Sequence, residues 1–220
     1  GLPYSCWFVN HMRFIRSRMT GVICSLLLAA LAQGAEKSTG TVVRGNFRVS
    51  YDERGITGLA NPYDPYGAEI LQRGQRLGLA VKLKAEDGTW RELAASNSER
   101  SAGESRLIYG TCATNNALKV TETFTIDGAA LDWDIALEAG TNAPVEIGDL
   151  AISIPVAGPR GEEPKEIFEH GFLRHQFISG NGSFLYFVRA SGTPPFLLVT
   201  VKPGTRLEYF TGGFGRGAAQ

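Results

Sequence analysis

Apolar and polar residues alternate with a period of two through most of the chain, the spacing of a β-strand with one face buried. Phe47, Val49 and Tyr51 follow it, and so do Leu77, Leu79, Val81 and Leu83 ahead of the turn pair Asp87-Gly88. Further on, Leu118, Val120, Phe124 and Ile126 fall on one face, with Lys119, Thr121, Thr123 and Thr125 on the other. After Asp127-Gly128 the pattern resumes with Leu131, Trp133, Ile135 and Leu137 against Asp132, Asp134, Ala136 and Glu138. Two such runs joined by an Asp-Gly turn predict an antiparallel hairpin with one wet face. Phe184–Val188 (FLYFV) and Phe196–Val201 (FLLVTV) are apolar almost without interruption, which predicts strands covered on both faces. No stretch after Ala35 keeps a helical period for three turns. Many short strands at this spacing predict an all-β fold, a large antiparallel β-sandwich, preceded by a signal-peptide helix.

The front of the chain reads as an export signal. Arg13, Arg16 and Arg18 form a basic flank to the apolar run Gly21–Ala32, whose end, Ala30-Leu31-Ala32, offers an A-x-A cleavage site, with Ala32-Gln33-Gly34 another just after it. The run is shorter than the roughly 20 residues a membrane-spanning helix needs, so removal on export is expected. Residues 1–32 are then upstream sequence plus leader, 33–43 a short linker and 44–210 the sandwich. Residues 211–220 read as the start of a linker to a missing C-terminal domain. A secreted or periplasmic location follows, with no membrane attachment after cleavage.

Charge narrows the partners. The 22 basic and 22 acidic residues balance, and no Lys/Arg stripe follows the leader, so nucleic acid is not an expected partner. Of three cysteines, only Cys112 lies beyond the leader, which excludes a disulfide-stapled scaffold. Cys112 reads as a small buried hydrophobe.

Candidate chemistry is sparse. Glu146 and Asp149 are two acids three apart, and glycoside hydrolysis uses a carboxylate pair roughly 5–9.5 Å apart. The intervening Gly148 fits a turn or bulge better. His170 and His175 lack the i, i+4 spacing of a helical metal site, and neither a metal nor another cofactor is expected. His175 reads as a candidate at the rim of a sugar-binding cleft. Asn181-Gly182, inside the Ser179–Ser183 run, is a hairpin signal whose loop places Asn181 within reach of substrate or a neighbouring domain. Tyr63, Tyr66, Trp90 and Tyr109 sit in loop-like or edge contexts, and sugars stack their C–H faces on such rings. Tyr63 and Tyr66, in the turn-rich Tyr63-Asp64-Pro65-Tyr66, are the strongest of the four.

Asn46–Tyr51 (NFRVSY) with Gly55–Leu59 (GITGL) resembles the opening of the N-terminal supersandwich of six-hairpin, (α/α)6-barrel glycosidases and related polysaccharide lyases. Trp133–Leu137, Pro144–Leu150, His175–Phe184 and Thr205–Phe210 are similar to the bacterial and fungal six-hairpin glycosidase-like family catalogued as DUF5695. The resemblance spans about residues 44 to 210. It implies a polysaccharide or oligosaccharide partner and a catalytic helical toroid following the sandwich, which carries the acids. No residue of this chain inherits a catalytic role from it. Three readings follow: the front scaffold and cleft wall of an exported glycosidase or lyase, a free-standing carbohydrate-binding module, or a structural surface domain.

Overall fold

The computed structural model describes residues 6–9 and 39–202, apart from residues 86, 94, 114–117, 141–144, 159–160 and 180–181. The expected leader helix lies outside the described residues, as does the 203–220 stretch. The strands in chain order are β1 (Cys6–Val9), β2 (Gly40–Arg44), β3 (Phe47–Asp52), β4 (Gly55–Ala60), β5 (Gly78–Lys84), β6 (Trp90–Glu92) and β7 (Ala95–Ala102). Next come β8 (Arg106–Ala113), β9 (Leu118–Ile126), β10 (Leu131–Ala139) and β11 (Ile147–Ser153). A two-turn helix, α1 (Pro164–His170), precedes β12 (Phe172–Ser179), β13 (Gly182–Arg189) and β14 (Phe196–Thr200). The protein is all-β, and its sheets are antiparallel except where β1 runs parallel to β14.

Four sheets share one core. Their orders are β10-β9-β8-β7, β1-β14-β13-β12, β11-β5-β6 and β2-β3-β4. The predicted β9–β10 hairpin is present, in register from Leu131 opposite Ile126 to Ala139 opposite Leu118. Its inward residues Phe124 and Trp133 stack with centroids 4.9 Å apart, and Tyr109 meets Phe124 edge-on at 6.0 Å. Burying a side chain such as Phe124 contributes about 1.5–3 kcal/mol. Phe47, Val49, Leu59, Leu107, Ile135, Phe187 and Leu197 join them, so every layer except the β11-β5-β6 sheet is represented by fully enclosed residues there. That sheet enters through Val81.

Specific joints hold the layers together. The β2–β3 turn docks on the β9–β10 turn, where Asn46 N donates to Gly128 O at 2.8 Å. Gly45 has φ +54° there, and a Cβ on it would collide with the Gly128 backbone. Beyond β14, Lys202 Nζ lies 3.0 Å from Asp134 Oδ1 and 3.6 Å from Asp132 Oδ2, on the polar face of β10.

The continuous apolar runs behave differently from the expectation. Along β13 and β14 buried and half-buried residues alternate, so one face enters the core and the other is only partly covered. On that second face Tyr186 and Phe196 pack ring to ring at 5.9 Å, screening each other.

Candidate functional site

The loop Asn61–Ala68 (NPYDPYGA), between β4 and β5, is built by two short side chains that bond their own backbone. Asn61 Oδ1 accepts from Tyr63 N at 2.6 Å, and Asp64 Oδ1 accepts from Tyr66 N at 3.1 Å. Asp64 Oδ2 accepts from Ala68 N at 2.8 Å, and Gly67, at φ +59°, donates to Asp64 O at 3.1 Å. A tyrosine stands two residues after each Asx position, so the same turns fix the backbone at Tyr63 and Tyr66.

Arg189, at the end of β13, anchors this loop. Its Nη2 lies 2.7 Å from Asp64 Oδ2, and both side chains are 0% exposed. Arg189 Nη1 donates to the carbonyl of Glu169 in α1. The guanidinium faces the Tyr66 ring at 4.9 Å and the Phe172 ring at 5.7 Å. A planar, permanently charged group suits this position, because it stacks on rings while its edge meets a carboxylate. The loop, the C-terminal end of α1 and the start of β12 therefore meet on one side chain. Buried charge is matched by buried charge, and what the loop presents to solvent is neutral and aromatic. Tyr63 is 74% exposed and Tyr66 40%.

The structure brings Tyr63 and Tyr66 onto one ordered loop. His175 stands exposed on β12, opposite Tyr186. Its odd separation from Phe172 sends it to the face of the sheet away from Arg189. Asn181 lies outside the described residues, and β12 and β13 on either side of it pair from Phe172–Arg189 to Ser179–Gly182. His170 ends α1, half-buried. Among the described residues no three His, Cys, Asp or Glu side chains come together as a metal centre requires.

Other sequence candidates are reassigned. Tyr109 is not an exposed edge ring; it is buried on β8 and its hydroxyl donates to Asp52 O at 3.1 Å. The inward phase of β8 puts it there. Glu146 is exposed and bound to Lys84 Nζ at 2.7 Å, while β11 carries a bulge between Ile147 and Leu150. The side chain of Asp149 is outside the described residues. Cys112 is half-buried on β8.

Two charged residues at inward positions escaped the sequence reading. One is Arg189, in phase with Leu185 and Phe187; the other is Glu122, in phase with Val120 and Phe124. Glu122 Oε1 is buried without a hydrogen-bond partner. Burial lifts its carboxyl from 4.5 to about 7, against a smaller opposing pull from the Trp133 indole. A charge on the buried phase of an alternating strand was the available signal for both.

No family model matches the sequence, and no curated protein matches it. Among solved structures, a polysaccharide lyase superposes with a TM-score of 0.52 at 13% identity. The two share a fold. The match takes in 64% of this chain and 22% of the lyase, so this chain corresponds to a minor part of that protein's length.

Proposed function

We propose that this β-sandwich is the glycan-contacting front domain of an exported carbohydrate-active enzyme of the six-hairpin glycosidase-like kind. In this reading it is scaffold and cleft wall for a catalytic (α/α)6 domain, and the isolated chain turns over no glycan. The observation that carries it is the Asn61–Ala68 loop, which exposes Tyr63 and Tyr66 and is fastened through Asp64 to the buried Arg189, on which the Tyr66 ring packs. Exposed rings on a backbone held by Asx turns, with a neutral surround, suit the apolar faces of pyranose sugars, because little backbone entropy is lost when a sugar stacks on them. The resemblance of Trp133–Leu137 and Pro144–Leu150 to six-hairpin proteins motivates the choice of parent, and the fold held in common with a polysaccharide lyase is compatible with it. A stand-alone binding module or the front domain of a lyase would use the same surface. The balanced charge favours neutral glycans over polyuronates.

Native gels cast with galactomannan, xyloglucan, mixed-linkage β-glucan or polygalacturonate test this. Retardation of the chain by a neutral polysaccharide is expected. Unchanged mobility in all four gels contradicts the proposal.

A further inference from the structure

A second aromatic surface stands apart from the tyrosine loop, on the sheet β11-β5-β6. Trp90 opens the three-residue edge strand β6 and pairs with Lys84 of β5. Its ring does not rest on its own strand's neighbour alone. It lies across the end of β5 against Gly148 of β11, so closely that a Cβ added to Gly148 would come within 2.8 Å of the indole. Lys84 Nζ stands over the ring at 5.9 Å from its centroid and is held by Glu146 Oε2 at 2.7 Å. The preceding turn is also braced. Asp87 Oδ1 accepts from Thr89 N at 3.0 Å and from Thr89 Oγ1 at 2.6 Å, and Arg91 Nη2 reaches Asp87 Oδ2 at 2.5 Å.

The indole thus has contacts below and at its side, yet Trp90 remains 49% exposed. Apolar surface of this size gains by burial, and nothing in the described chain buries it further. A flat ring seated on a glycine, with paired charges at its margin, provides both elements of sugar recognition: a face for C–H stacking and donors and acceptors for hydroxyls. Lys84 offers N–H donors and Glu146 a carboxylate acceptor. Lys84 is matched by Glu146 and Arg91 by Asp87, and Lys82 stands opposite Glu92 in the register of β5 and β6, so charge is balanced around the ring.

We infer that Trp90, seated on Gly148 and flanked by Lys84 and Glu146, is a second subsite for a neutral pyranose unit of a glycan. The inference rests on the proposed glycan-contacting function and extends it to a separate surface. It also gives Gly148 a purpose that a bulge alone does not require, since a side chain there would lift the indole from its seat.

The test is titration calorimetry of the full chain with whichever of the three neutral polysaccharides retards it most in the gels. Trp90→Ala removes the ring from an exposed edge strand, and Gly148→Ala displaces it without removing it. At least tenfold weaker binding is expected for Trp90→Ala and a several-fold loss for Gly148→Ala, with cooperative urea unfolding kept in both. Wild-type affinity in Trp90→Ala, alongside weakened binding in Tyr63→Ala, would overturn the Trp90 subsite and leave the proposed function standing. Absence of binding by the unaltered chain would remove both.

Discussion

Arg189 Nη2 lies 2.7 Å from Asp64 Oδ2, and neither side chain is open to solvent. The two residues are far apart in sequence, so their pairing fastens an aromatic loop to the end of a core strand. Removing one partner leaves a buried charge uncompensated, which costs about 3–5 kcal/mol. Arg189→Met and Asp64→Ala should each lower stability by that order in urea unfolding. The double variant should recover part of the loss, because no charge is then stranded.

Glu122 gives the protein a pH dependence of defined sign. Its folded-state pKa, near 7, exceeds its ordinary value of 4.5, so the native state holds the proton more tightly than the unfolded state does. The contribution is present in full below about pH 4.5 and is lost as pH rises to about 7. At about 1.4 kcal/mol per pH unit this amounts to about 3 kcal/mol. Glu122→Gln keeps the shape and removes the charge. Its stability relative to wild type should rise by up to that amount between pH 5 and pH 8, measured by urea unfolding at each pH.

Gly45 is needed for close approach as well as for its backbone angle. Its φ of +54° is uncommon for other residues, and a methyl group would meet the Gly128 backbone at the joint between two sheets. Gly45→Ala should lower the unfolding midpoint, with a loss of about 2 kcal/mol or more from strain and from displacing the Asn46–Gly128 hydrogen bond.

Much of the architecture was legible in the sequence, for a local reason. Period-two alternation around Phe124 and Trp133 and the Asp127-Gly128 turn determine a hairpin without reference to the rest of the chain. The aromatic loop was legible too, because Asn61 and Asp64 act on backbone only a few residues away. What escaped depended on distant partners. Arg189 ends an apolar strand and becomes intelligible only with Asp64 beside it. Tyr109 reads as an edge ring until Asp52 O receives its hydroxyl. Gly148 suggested a bulge, which is present, but its contact with Trp90 required the register of three strands. His175 read as a candidate at a cleft rim; its place on β12, on the face away from Arg189, depends on the register with β13.

In the proposed function the Asn61–Ala68 loop contacts glycan through Tyr63 and Tyr66, the two rings it exposes. Tyr63 is the discriminating residue: it is exposed and outside the Arg189 cluster, so its removal should leave stability within about 0.5 kcal/mol. Calorimetric titration of wild type and Tyr63→Ala with the neutral polysaccharide that retards the chain most strongly measures its role directly. About tenfold weaker binding by Tyr63→Ala, with unchanged unfolding, is the predicted result; equal affinity in the two proteins would contradict the account.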